Sequence, residues 1–138
     1  MKNLKPEKLV EVEVLAWCNQ NAWSVDVYDS KATYSEKSKS YKKSKSLKQG
    51  TPDIVGNCQN GLACYIELKA PGIYYCSQEQ YLFLKRKIES NAFGCVVRSA
   101  KELEEYYLSY KNASDSKSYL LSILPKKIKV NGKIINVF

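Results

Sequence analysis

The sequence predicts an α/β fold, a mixed β-sheet flanked by helices, with a C-terminal β-hairpin extension. Three observations carry this expectation. Apolar residues recur at helical spacing in the opening segment and again after residues 77 and 99. Between these stretches, short runs are alternating or wholly apolar, as strands are. Asn60-Gly61 and Asn131-Gly132 each separate two such runs, a strong hairpin signal. The 138 residues fit one domain. It reads as a core over 1–111, with a Lys/Ser-rich loop at 30–49, and an extension over 112–138.

The first helix starts at Pro6, a residue suited to a first turn, with Glu7 complementing the helix dipole. It continues towards Gln20 on Leu9, Val10, Val14, Leu15, Trp17 and Cys18. Glu11 falls at the edge of this stripe and Glu13 on the outer face. An acid placed like Glu11 is either a surface residue reaching past the core or a ligand. Trp23, Val25 and Val27 alternate with polar residues and give the first strand. The following segment is poor in apolar residues and carries Lys37, Lys39, Lys42, Lys43, Lys45 and Lys48 with no acid among them. It leads directly into Gly50-Thr51-Pro52-Asp53. It reads as an arm that grips phosphates, with Tyr34 and Tyr41 as stacking groups, or as a solvated linker.

Residues 53–56 and 62–68 form two adjacent antiparallel strands around 57–61, and Ala70-Pro71-Gly72 is a turn. Ser77 and Gln80 have capping-box spacing, and Tyr81, Leu84 and Ile88 continue one helical face. Lys85, Arg86 and Lys87 form a basic cluster on that helix, usable for contacts to a phosphate backbone or merely solvated. Residues 93–98 read as a buried central strand, after Asn91 supplies a left-handed stop. Ser99 and Glu102 repeat the capping-box spacing and open a helix towards Tyr110. Residues 112–117 read as a polar loop. The terminal hairpin should pack on its own domain or on a partner subunit.

A net charge of +8 favours polyanionic partners without deciding the fold. The five cysteines form no CxxC pair and read as small buried hydrophobes of a reducing cytosol. The chain has no histidine, which excludes His-based zinc sites and Ser-His-Asp triads. Hydrolysis would fall to carboxylates and lysines. No apolar run reaches membrane-spanning length and the opening residues lack a signal-peptide core, so no membrane partner and a cytoplasmic location are expected.

Within 62–68 the period of two sets Glu67 and Lys69 on the face opposite Leu62, Cys64, Ile66 and Leu68. Asp53 is available from the start of the neighbouring strand. Two carboxylates and an ammonium at the edge of a core cost several kcal/mol, by order of magnitude, unless something pairs them. A divalent cation on Asp53 and Glu67, with Lys69 aimed at a phosphate, would supply that pairing.

Gly50-Thr51-Pro52-Asp53, followed after a spacer by Glu67-Leu68-Lys69, resembles the PD-(D/E)XK nuclease signature. The continuation Lys69-Ala70-Pro71-Gly72, then Ser77-Gln78-Glu79-Gln80 and a helix, is similar to the VRR-NUC branch of that superfamily, whose stand-alone members occur in phages and bacteria. Glu11-x-x-Val14-Leu15-x-x-Cys18, with Ala22-Trp23-x-Val25, is similar to the opening of archaeal Holliday-junction resolvases. The resemblance implies a restriction-endonuclease-like core and a Mg2+- or Mn2+-dependent endodeoxyribonuclease acting on branched DNA. Because the related resolvases are dimers, it implies a homodimer too. It implies metal ligands at Asp53, Glu67 and the backbone carbonyl of Leu68, with Glu11 completing the acidic cluster. It implies Lys69 beside the attacking water and Gln80 in the cleft, although Gln80 also suits a plain capping role. Family members carry a shorter, Arg- and Gly-containing segment where this chain has its lysines. A flap, nick or duplex nuclease, and a DNA-binding or accessory repair module without turnover, are the alternatives.

Overall fold

The structure, a computed structural model, describes residues 4–28, 33–35, 40–42 and 50–137. In chain order the elements are α1 (Pro6–Gln20), β1 (Ser24–Val27), β2 (Thr33–Ser35), β3 (Ser40–Lys42), β4 (Ile54–Asn57), β5 (Ala63–Leu68) and β6 (Tyr75–Ser77). They continue with α2 (Gln78–Glu89), β7 (Phe93–Val97), α3 (Ala100–Asn112), α4 (Ser116–Ile123), β8 (Lys127–Val130) and β9 (Lys133–Asn136).

Helix α1 has Pro6 in its first turn and buries Val10, Val14 and Cys18, spaced four apart. Leu9, expected on the same stripe, is half exposed, so the buried seam is narrower than the apolar pattern. Ala22 takes a left-handed φ of 60°, which lets the Trp23 N–H bond back to the Cys18 carbonyl at 2.9 Å and stops the helix. Asn91, with φ 74°, does the same after α2, and the Ala92 N–H reaches the Lys87 carbonyl at 3.0 Å.

The main sheet has the order β1-β4-β5-β7 and is mixed: β1 and β5 flank β4 antiparallel, and β7 lies parallel to β5. In the β4–β5 connection, Gly61 (φ 86°) donates to the Cys58 carbonyl and Asn60 Oδ1 accepts from the Leu62 N–H. Alternation along β7 separates two faces. Phe93 packs edge-on against Trp23, Tyr107 and Tyr110, with Trp17 beside Trp23, so α1 and α3 share one face. Gly94 turns the other way, towards Leu84 and Ile88 of α2. Helix α4 contacts α2, α3 and β7, closing the side of the sheet where β7 has no further strand. All five cysteines are buried and free.

A second sheet has the order β6-β8-β9, with β6 parallel to β8 and β8 antiparallel to β9. Asn131 and Gly132 both have positive φ, 49° and 79°, the turn that matches strand twist in a two-residue hairpin. The chain is thus α/β, with mixed sheets flanked by helices and C-terminal strands. Strands β2 and β3 pair antiparallel, Tyr34 opposite Tyr41 and Thr33 opposite Lys42. Among the described residues, no helix is long and apolar enough to cross a membrane.

Candidate active site

The β4–β5 register pairs Ile54 with Ile66, so one step further Asp53 falls opposite Glu67. The segment carrying Asp53 is fixed at both ends. The Asp53 carbonyl accepts from the Tyr28 N–H at 2.8 Å. Upstream, Gly50 has a φ of 86°, and a Cβ there would lie 2.3 Å from the Glu79 carbonyl oxygen of α2. Only glycine lets this backbone approach so close to the first turn of the helix.

Asp53 Oδ2 accepts from the Leu68 N–H at 2.9 Å, which folds the carboxylate across β5. Glu67 pairs with Val96 and therefore faces α2. It is 2% exposed, the single buried charged side chain among the described residues. Gln80 Nε2 donates to Glu67 Oε2 at 2.7 Å, and Lys69 Nζ stands 3.5 Å from the same oxygen. Lys69 Nζ also donates to Gln80 Oε1 at 3.3 Å. Gln80 Oε1 accepts from the Ser77 N–H at 2.9 Å, while Ser77 Oγ accepts from the Gln80 N–H at 3.1 Å. Gln80 therefore closes the capping box and also reaches the buried acid.

Glu67 Oε1 is buried and accepts no N–H or hydroxyl; with the neighbouring Asp53 carboxyl Glu67 forms a hydrogen bond only when one of the two acids carries a proton. Burial, and then the neighbouring Asp53 charge, push the Glu67 carboxyl well above its usual range, with Lys69 pulling the other way. Burial also raises Asp53, against the opposing pull of the Leu68 N–H, the Glu67 hydrogen bond and Lys69. Two adjacent carboxyl groups of this kind are relieved by a proton or by a cation. Mg2+ is commonly held by one or two carboxylates with retained waters, so Asp53 and the orphaned oxygen of Glu67 suit such an ion.

The expected third acid stands differently. Glu11 forms an ion pair with Lys8, although its charge still acts on Asp53. Among the described residues, no group of three or more His, Cys, Asp or Glu side chains is placed to hold a metal ion. Leu68 ends β5 with its side chain buried and its N–H on Asp53. Lys85 and Arg86 are exposed on α2, the Arg86 guanidinium lying 5.5 Å from the Phe83 ring centroid. Lys42 lies in β3, whereas Lys37, Lys39, Lys43, Lys45 and Lys48 fall outside the described residues.

Several neighbours are not foreseen by the sequence pattern. Glu13, expected on the outer face, accepts from the Ala100 N–H at 2.7 Å and ties α1 to the start of α3. Ser99 Oγ accepts from the Glu102 N–H at 3.0 Å, but Glu102 Oε1 turns to the Arg98 N–H and Nη1, at 2.9 and 2.7 Å. Cys76 is fully buried, and burial pushes its thiol up to about 12; Lys69, Glu67 and Arg98 all act on it. The only sequence signal for these partners is an unassigned Arg98 beside the Ser99/Glu102 box.

Compared with known proteins, the chain matches no family model, no curated protein and no solved structure.

Proposed function

We propose that this chain is a metal-dependent DNA endonuclease with a restriction-endonuclease-like core of the VRR-NUC type, acting on branched DNA. The observation that carries the reading is Glu67: a buried carboxylate oriented by Gln80 through one oxygen, orphaned at the other, and set beside Asp53 and Lys69. Buried polar atoms are normally paired, and strongly perturbed carboxyls cluster at functional sites, so the orphaned oxygen beside a second raised carboxyl supports this reading. Mg2+ or Mn2+, held by Asp53 and Glu67 with the Leu68 carbonyl as a further ligand, would supply charge neutralisation at the phosphate and a more acidic attacking water.

The chain's own groups divide the remaining work. Gln80 fixes the Glu67 carboxylate through its amide, so that the orphaned oxygen keeps one direction. Lys69 brings three N–H donors within reach of Glu67 and Gln80, able to orient the attacking water and to stabilise charge on the phosphate. The lysines of 37–48, with Lys85 and Arg86, would hold the DNA backbone. A homodimer presenting two such sites would suit a two-fold symmetric four-way junction.

The pairing of Glu11 with Lys8 favours a second reading, a DNA-binding module without turnover. One experiment separates the two. A labelled four-way junction, a flap and a linear duplex of the same sequence are incubated with Mg2+, Mn2+ or EDTA, using Asp53→Ala and Lys69→Ala as controls. Metal-dependent cutting by the parent, reduced by about a hundredfold or more in both variants, is the expected result. Binding without cutting in either metal would establish the second reading, and equal cutting by the variants would remove the site assignment.

A further inference from the structure

The turn after Lys69 presents an aromatic ring in an arrangement that catalysis does not use. Ile73 donates to the Ala70 carbonyl at 3.1 Å, closing the turn, and Tyr74 then projects with 64% of its surface exposed. The Arg98 guanidinium lies 4.4 Å from the ring centroid. That guanidinium is fixed in turn: Nε donates to the Ile73 carbonyl at 2.7 Å and Nη1 to Glu102 Oε1 at 2.7 Å. A cation clamped by the backbone and a carboxylate thus backs one face of Tyr74, and exposure leaves the ring's remaining surface to solvent.

The stack belongs to the same end of the sheet as the acidic pair. Lys69 N–H donates to the Val97 carbonyl at 3.0 Å, so Lys69 and Arg98 leave the adjacent parallel strands β5 and β7 side by side. The Lys69, Glu67 and Arg98 charges all act on the buried Cys76 thiol, two residues beyond Tyr74. The exposed ring stands beside the candidate site with a cation against one face, the arrangement in which an aromatic side chain offers its other face to a flat partner.

We infer that Tyr74, braced on Arg98, is a stacking platform for an unpaired nucleobase next to the scissile phosphate. This rests on the nuclease reading and narrows its branched substrate to DNA whose strand leaves the duplex unpaired at the cleavage point, as in a flap and unlike a fully paired four-way junction. Paired bases are stacked on their neighbours and offer no free face, whereas an unpaired base has one. Tyr74 is a specificity-determining residue in this role and takes no part in the chemical step.

The test uses the full chain and synthetic DNA carrying 2-aminopurine, a base whose fluorescence falls on stacking, at the first unpaired position of a flap. Fluorescence is read on binding in EDTA, where no cutting is expected, and cleavage of flap and duplex is then compared in Mg2+. Tyr74→Phe keeps the ring, Tyr74→Ala removes it, and Leu108→Ala serves as a control at an exposed apolar residue of α3. The parent, Tyr74→Phe and Leu108→Ala should quench the probe. Tyr74→Ala should not, and its flap-to-duplex cleavage ratio should fall about tenfold. Equal quenching by Tyr74→Ala would overturn the platform, whatever the parent cleaves. Quenching that depends on Tyr74 in a protein that cuts nothing would support the platform while ending the nuclease reading.

Discussion

The Gln80 amide stands 2.7 Å from Glu67 Oε2 while its carbonyl oxygen accepts the Ser77 N–H that starts α2. One side chain therefore couples the beginning of a helix to the orientation of a buried acid. Gln80→Ala should cost on the order of 1 kcal/mol in stability through the lost cap. The same change should lower cleavage about 10- to 100-fold, through a carboxylate no longer held in place. Thermal melting and single-turnover cleavage read the two losses separately. A variant that melts early but cuts normally would confine Gln80 to the cap.

Acid-linked stability should be visible in EDTA. The folded state raises the Glu67 carboxyl well above 4.5, and Asp53 is raised as well, so near these groups the native protein binds more protons than the unfolded chain. Stability from this pair is therefore fully present below the unfolded values and declines as pH rises through the folded ones. Glu67→Gln removes the titrating group while keeping its shape. Melting temperatures of parent and variant, compared from pH 4.5 upward, should diverge to the parent's disadvantage. Mg2+ should narrow the gap by binding the ionised pair. Parallel curves would show that Glu67 titrates as an ordinary carboxyl.

Gly50 carries a separate expectation. A Cβ at this position would overlap the Glu79 carbonyl at 2.3 Å, and the residue sits at φ 86°. Gly50→Ala should destabilise the protein by about 2 kcal/mol or more. It should also move Asp53 away from Glu67, because the obstructing atom is helix backbone with no room to give. Denaturant unfolding measures the first effect, and Mn2+ affinity by calorimetry the second. Unchanged values in both would mean that the loop packs elsewhere in solution.

The lysine-rich segment should act through salt. Replacing Lys37, Lys39, Lys42, Lys43, Lys45 and Lys48 by glutamine should weaken DNA binding and flatten its dependence on salt. The expected change in log–log slope is about 0.9 for each duplex phosphate that the segment no longer neutralises. Titrations by fluorescence anisotropy at several salt concentrations would show this. An unaltered slope would make the segment a solvated linker.

Local chemistry explains how much of this fold the sequence announces. The Asn131-Gly132 turn, the Asn91 stop and the Ser77/Gln80 box depend on neighbouring residues and are found where their residues predict them. Helix α4 begins inside the segment that reads as a polar loop, because it is short and opens with Ser-Lys-Ser; its signal is Asp115, whose carboxylate accepts from the Ser118 N–H. Strand β6 has three residues and owes its existence to β8, about fifty positions later in the chain, so no window of sequence contains its cause. Val27, the last of the alternating apolar residues of the first strand, is exposed on the edge strand β1.

The same division runs through the candidate site. Asp53, Glu67, Lys69 and Gln80 are joined by one hairpin and one turn, and their proximity follows from spacing. The partners of Glu11 and Glu13 are not legible in this way. Lys8 competes for Glu11 from one turn earlier, and Glu13 finds the start of α3 only when two distant helices pack. Surface acids have several cations and N–H groups within reach, and tertiary placement decides among them.

Ser77 ends β6, where it pairs with Lys129 of β8, and it is also the residue that caps α2. A ribosome that has synthesised the chain as far as Asn112 has made every side chain of the candidate site, yet not the strand that holds Ser77 on its other side. The strand beneath Ser77 therefore gains its partner only when residues 127–130 are free to pair, so the cap of α2 and the far end of the chain are folded as one unit.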